Sequence, residues 1–201
     1  MPRQSAAEID DAILDAAAGL FASHGVGGTS VAQIAVAVGY SKTGLLHRFP
    51  SKQALVDAVL ADTVARLEAV AAAVAHLSPG AARDVAGIEA IAAVALDRPG
   101  QVALVLASFT SGPAAGVATL DDPSLAAIDT AICAVFGDAP DPDPADPVAV
   151  TRSVRVATAL AGIAVTTPLI AEFARHAGRT AAHRLLTTVA LDALAVDDDD
   201  R

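Results

Sequence analysis

Apolar side chains recur at Ile9, Ile13, Ala16, Ala17, Leu20 and Phe21, a three-and-four spacing that lines one helical face, so Ala7 to His24 is expected to be helical. Glu8, Asp10 and Asp11 sit at its positive N-terminal end, and Gly25 offers a left-handed stop. After a loop through Gly28, Ser30 and Gln33 have the S-x-x-Q spacing of a capping box. They open a short helix that turns Val31, Ile34, Ala35 and Val38 inward and ends at Gly39. Ser41 is a good N-cap for a third short helix through Leu45, Leu46 and Phe49, which Pro50 and Ser51 interrupt. Two short helices joined by a turn at Gly39 form a helix-turn-helix pattern. From Ser51 to Leu77, the positions Leu55, Val59, Leu67, Val70, Val74 and Leu77 predict one long helical connector of about 25 residues, roughly 38 Å.

Beyond Pro79 and Gly80 the pattern predicts helices near Ala81–Leu96, Gln101–Ser111, Ser124–Phe136, Val148–Ala174 and Arg179–Val196, each bounded by Pro, Gly or Asp-rich breaks. Pro168 is expected to bend or split the fourth of these, because it lacks an amide donor and crowds the preceding turn. Gly137 to Pro147 reads as a Pro/Asp loop and the final DDDDR as a solvated tail. The longest uncharged stretch, Pro99 to Leu120, is broken by Pro and Gly into core helix plus loop, so no membrane span is expected from it.

Composition agrees with an all-α fold: Ala supplies about a quarter of the 201 residues, aromatics only 3%, and there is no Trp. The N-terminal MPRQSAAEIDD has no apolar run, so no secretory signal is expected. The single Cys, Cys133, rules out an intrachain disulfide and a Cys-rich metal site, and suits a reducing, cytoplasmic setting. Net charge is −10, which argues against coating nucleic acid or an anionic membrane through bulk positive charge, so any anion site must be local.

One stretch is local in that sense. The 24 residues from Thr29 to Lys52 hold Lys42, Arg48 and Lys52, with Tyr40 and His47, and no Asp or Glu, giving +3 and leaving −13 for the rest of the chain. Lys42 and Lys52 are the only lysines in the protein.

The run Thr29-Ser-Val-Ala-Gln-Ile-Ala, followed by Val38-Gly-Tyr-Ser-Lys-Thr-Gly-Leu-Leu-His-Arg-Phe-Pro-Ser-Lys-Gln-Ala-Leu, resembles the DNA-binding domain of the tetracycline-repressor (TetR/AcrR) family of bacterial regulators. The likeness covers about Glu8 to Leu60 and combines an amphipathic first helix, the helix-turn-helix and the Phe-Pro-Ser-Lys start of the fourth helix in fixed order. It implies an N-terminal three-helix DNA-binding domain, residues 1–52, followed by an α-helical effector-binding and dimerisation bundle, residues 53–201. The third helix would then enter the major groove. Lys42, Thr43 and His47 are spaced to read base edges, with Tyr40 and Ser41 leading in and Gly44 permitting close approach. Thr29 and Ser30 can offer hydroxyls and amides to a phosphate, and Lys52 would do likewise at the fourth helix. Leu45 and Phe49 read as core. Family members often carry Tyr where this chain has Leu46, and His47 and Arg48 are expected to take over backbone or base contacts there.

The resemblance further implies a homodimer formed by the last two helices, whose Ala157, Ala161, Ala164, Ala181, Ala182 and Ala190 permit close approach. It also implies a transcriptional repressor that binds a palindromic, inverted-repeat DNA operator and is released from it by a small apolar or amphipathic effector. Candidate effector-pocket residues are Val102, Leu106, Phe109, Thr110, Cys133, Thr158 and Thr166, apolar lining with sparse hydroxyls. No catalytic, cofactor or metal site is expected: Gly25-Val-Gly-Gly lacks the Lys of a phosphate loop, the five histidines lack ligand spacing, and Ser108, Ser111 and Ser153 lack a nucleophile elbow. The alternatives are a helical small-molecule binding protein whose helix-turn-helix no longer binds DNA and, more remotely, an α-helical hydrolase or transferase.

Overall fold

The structure, a computed structural model, describes residues 5–110 and 123–196, with the side chains of 108–110 and 125 excepted. The regular elements among them are all helices, as the composition implies: α1 (Ala6–Gly28), α2 (Val31–Ala37), α3 (Lys42–Arg48), α4 (Lys52–Val74), α5 (Ala81–Asp97), α6 (Pro99–Thr110), α7 (Pro123–Phe136), α8 (Pro147–Ala177) and α9 (Arg179–Leu194). Two compact units form, one from the described residues within Met1–Thr63 and Arg98–Leu125, the other from those within Val64–Asp97 and Ala126–Arg201. This division differs from a boundary after Lys52: the first unit keeps the start of α4 and recruits α6 from later in the chain.

In the first unit, Ser5 and Glu8 close a reciprocal capping box at the start of α1, with Ser5 N donating to Glu8 at 2.6 Å and Glu8 N to Ser5 Oγ at 3.2 Å. The Ser5 backbone amide holds the Glu8 carboxyl below its ordinary range. Gly25, at φ 69°, breaks the helix where the sequence predicts a stop, and a final turn continues to Gly28. Buried Ile13, Leu14, Ala17 and Phe21 of α1 pack with Ile34, Leu45, Leu55, Val59 and Leu104 into one core, so α1 is the spine on which α2, α3, α4 and α6 rest.

Close approach of α6 to α1 is made possible by glycine. A Cβ on Gly100 would lie 2.0 Å from the Asp15 carbonyl oxygen, and one on Gly19 would lie 3.5 Å from Gly100 Cα. The Asp15 carboxylate accepts from the amides of Gly100 and Gln101 at 2.9 and 3.1 Å, capping α6 from a neighbouring helix. Arg98 pairs with Asp11, and the Gln101 side chain donates to Asp62 at 2.6 Å.

The second unit is organised by buried charge as well as apolar packing. Asp84 of α5, 4% exposed, receives two 2.6 Å bonds from the guanidinium of Arg152 on α8. Arg152 Nε also reaches Asp138 at 3.1 Å, and its guanidinium carbon lies 5.7 Å from the Phe136 ring centre. These acids hold the Arg152 pKa above its ordinary value. Arg83 donates to the Ala134 and Val135 carbonyls near the end of α7 and to Leu77, placing positive charge at a helix C-terminus. Ala92, Ile170, Ala182 and Leu186 join α5, α8 and α9.

Pro168, expected to bend or split α8, lies inside one helix running from Pro147 to Ala177. The hydroxyls of Thr166 and Thr167 donate to the Gly162 and Ile163 carbonyls at 2.7 Å each, one turn back along the same helix.

Candidate nucleic-acid interface

The helix-turn-helix is built locally, as its sequence predicts. Ser30 Oγ accepts from Gln33 N at 3.2 Å while the Gln33 side chain accepts from Ser30 N at 2.8 Å, so α2 begins on a complete capping box. Gly39, at φ 72°, ends it, and Ser41 Oγ accepts from Gly44 N at 3.0 Å to start α3. Ser51 caps the amide of Ala54 at 3.0 Å and so begins α4.

Leu45 is fully buried in the core of the first unit and fixes which side of α3 faces inward. At about 100° per residue, Thr43 and His47 project about 160° away from it and about 40° from each other. Lys42, Thr43, Gly44 and His47 are exposed, as are Ser30 and Ser41. Tyr40 and Leu46 are half-buried. Six of the ten residues expected to meet DNA therefore share an open surface around the α2–α3 turn and the outer side of α3.

The other three polar candidates are engaged inside the protein. Thr29, expected to offer a hydroxyl to phosphate, is only 2% exposed and donates to the carbonyls of Leu20 and Gly25 at 3.1 and 2.8 Å. It stitches the Gly25 break together. Lys52, expected at a phosphate, donates from Nζ to the Val26 and Thr29 carbonyls at 2.7 and 3.2 Å, completing the same corner. Arg48 pairs through Nε with Asp10 and donates from Nη2 to the Ala6 carbonyl at 2.9 Å. The guanidinium holds the Asp10 carboxyl below its ordinary range, and the carboxylate raises the Arg48 pKa in turn. Asp10, outside the acid-free stretch, thus offsets one of its three positive charges. Sequence reasoning missed Asp10 because the pair spans 38 positions and no short-range pattern marks it.

The expected effector residues divide between the two units. Val102 and Leu106 lie half-buried on α6, Cys133 half-buried on α7 with its thiol pKa pushed up by burial, and the side chains of Phe109 and Thr110 fall outside the described residues. Thr158 and Thr166 line a groove of about 370 Å³ between α8 and α9, with Gly162, Leu169, Leu185 and Val189. Their hydroxyls already donate to the Val154 and Gly162 carbonyls. Beside this groove, Val154, Val165, Leu169 and Phe173 of α8 are 58%, 64%, 70% and 38% exposed, and Leu185 and Val189 of α9 are 43% and 55% exposed. The four on α8 fall within about 100° of arc and form one apolar stripe.

The sequence profile of the family described as bacterial regulatory proteins, tetR family, matches residues 13–59. The HTH-type transcriptional regulator RutR of Escherichia coli K12 is 55% identical over 49 residues, which cover 24% of this chain and 23% of RutR. The chain is thus matched to about a quarter of that relative's length. Among solved structures, a TetR transcriptional regulator from Rhodococcus sp. RHA1 aligns at 17% identity over 96% of this chain and 100% of that one, with a TM-score of 0.43. AmtR from Mycobacterium smegmatis aligns at 23% identity over 100% of this chain and 91% of that one, with a TM-score of 0.44. The matched family and RutR are regulators, not enzymes. Residues 13–59, the segment similar to the tetR family of bacterial regulatory proteins, run from within α1 through α2, the Gly39 turn and α3 into α4.

Proposed function

We propose that the protein is a cytoplasmic transcriptional regulator that binds an inverted-repeat operator as a homodimer and is released from it by a small apolar or amphipathic effector. The observation that carries this reading is the exposed, acid-free surface made by the outer side of α3, with Thr43 and His47, and by its N-terminal end, with Lys42, inside the segment that matches the family. Lys42 and His47 can donate to base edges and Thr43 can donate or accept, while Gly44 leaves the backbone free to approach. Ser30 and Ser41 accept cap bonds through their oxygens and keep a hydroxyl hydrogen for phosphate.

The apolar stripe on α8 and α9 supports the dimer. Helix α8 is long and apolar enough in composition to cross a membrane, yet its exposed apolar residues gather on one side next to α9, which suits a second helix pair better than surrounding lipid. Thr158 and Thr166, expected at the effector pocket, line the groove beside this stripe. Two copies would present two α3 helices to half-sites one helical turn apart, about 34–36 Å, or a related spacing.

Selection of bound fragments from a random DNA pool tests the proposal. It should enrich an inverted repeat whose binding weakens steeply with salt and falls for Lys42→Ala. Enrichment of no sequence at low salt refutes it and favours a small-molecule binding protein. Sedimentation of wild type and Leu169→Asp should give a dimer and a monomer respectively; a monomeric wild type removes the two-headed mechanism.

A further inference from the structure

We infer that Arg48, although it ends the DNA-reading helix, is a positioning residue: it ties the C-terminal end of α3 to the first turns of α1 through Asp10 and the Ala6 carbonyl, and so sets how α3 meets the operator. Its donors divide between a carboxylate and a backbone carbonyl, and the first turn of α1 is itself held by the Ser5 and Glu8 box. The anchorage is therefore between two fixed ends rather than two loose side chains. Arg48 projects about 60° from buried Leu45 and about 140° from Thr43, so it lies towards the core side of a helix only seven residues long. Leu45 and Phe49 hold the inner side of α3 on the core through apolar contact, which is not directional; the Arg48 hydrogen bonds add a directional tie from the end of the helix to α1. The side chains of Arg48 and Asp10 are 30% and 41% exposed, which leaves the pair accessible to water but committed to each other.

For its DNA arm the inference rests on the proposed regulator reading, and two roles for Arg48 make opposite forecasts there. If Arg48 gripped DNA, Asp10 would be a competitor, and neutralising it in Asp10→Asn would free the guanidinium, remove a negative charge near the phosphates and raise affinity. If Arg48 positions α3, the same change lowers affinity. The selected operator, titrated by fluorescence anisotropy, should bind Asp10→Asn and Arg48→Ala each about tenfold more weakly, a loss on the scale of one misplaced base contact. The double variant Asp10→Asn/Arg48→Ala should be no weaker than either single one. The exchanged pair Asp10→Arg/Arg48→Asp should bind more tightly than either single variant, recovering the part carried by the ion pair but not the bond to the Ala6 carbonyl. Arg48→Ala should keep the wild-type slope of affinity against salt, whereas loss of a phosphate contact would reduce the slope by about 0.9.

A second arm needs no DNA. Tyr40 is the only tyrosine and the chain has no Trp, so intrinsic emission reports one site, the turn leading into α3. The Tyr40 ring lies against the start of α3, where a Cβ on Gly44 would meet its Cδ1 at 3.7 Å. Emission and its quenching by iodide should change alike in Asp10→Asn and Arg48→Ala, in protein that melts cooperatively, and return in part in the exchanged pair. Tighter operator binding by Asp10→Asn, a reduced salt slope for Arg48→Ala, or Tyr40 emission indifferent to both variants overturns the inference. A wild type that selects no DNA refutes the regulator reading alone, and the Tyr40 arm still decides the tie.

Discussion

Replacing Gly100 by Ala adds one methyl group at the tightest place in the first unit. The new Cβ would sit 2.0 Å from the Asp15 carbonyl oxygen, 2.9 Å from Gly19 N and 3.0 Å from the Asp15 carbonyl carbon, all backbone atoms that no rotamer change can move aside. Separation to even 3.0 Å from that oxygen requires α6 to retreat by about 1 Å, at a cost of about 1–3 kcal/mol for overpacking. The same movement stretches the bonds of 2.9 and 3.1 Å that Asp15 accepts from Gly100 and Gln101, with loss of a cap worth about 0.5–2 kcal/mol. Together these give about 1.5–5 kcal/mol, or about 3–20 °C in melting temperature for a chain of this length. Circular dichroism during heating measures it, with Gly27→Ala as the control, since a Cβ there meets nothing within 4 Å. Because Gly100→Ala already disrupts the cap, Asp15→Ala should cost less in its presence than alone. A Gly100→Ala protein that melts within about 2 °C of wild type, or strictly additive costs in the double variant, would refute the close docking of α6 on α1.

Asp84→Ala should cost about 3–5 kcal/mol in urea denaturation, because it leaves the Arg152 guanidinium half-compensated; Asp138→Ala, which removes the longer and more exposed contact, should cost clearly less. Lys52→Ala should lower stability by about 1–3 kcal/mol by removing two charged-donor bonds at the Gly25 corner, and equal stability of variant and wild type would return Lys52 to the phosphate role expected from sequence. The stabilisation that Asp10 draws from Arg48 depends on pH with a defined sign. Its folded pKa is lowered, so the contribution is present above the ordinary carboxylate value of about 4 and is lost as pH falls through the lower folded value. The stability difference between wild type and Asp10→Asn should accordingly hold steady from about pH 5 to 8 and close below about pH 4; persistence of the full difference under more acid conditions would contradict the assignment.

The short-range features of the fold were legible in the sequence because each depends on a few neighbouring residues. The Ser30 and Gln33 box, the Ser41 cap and the stops at Gly25 and Gly39 all form where their residue types imply. Polar side chains within the motif were harder to assign, since exposure cannot be told from residue type. Thr29, Arg48 and Lys52 carry the right chemistry for phosphate, and the fold turns each of them to backbone carbonyls or a distant carboxylate. The expected split at Pro168 does not occur, since α8 runs from Pro147 to Ala177 past the single amide donor that the proline removes. The α8 stripe escaped notice because Ala, Val and Leu occupy every side of that helix, so periodicity gives little sign of which side is left uncovered.

The placement of α6 bears on how this protein can be cut and recombined. Its N-terminus is capped by a carboxylate from α1, and its Leu104 belongs to the same core as Ile13 and Leu45, although 34 residues of the other unit, Val64–Asp97, intervene in the chain. A fragment ending at Lys52 or at Thr63 would therefore lack a wall of its own hydrophobic core and leave Asp15 without the amides it caps. Grafting the reading head onto another regulator thus calls for a discontinuous transplant, in which α6 travels with α1 to α3 or the recipient's equivalent helix supplies a glycine opposite Asp15.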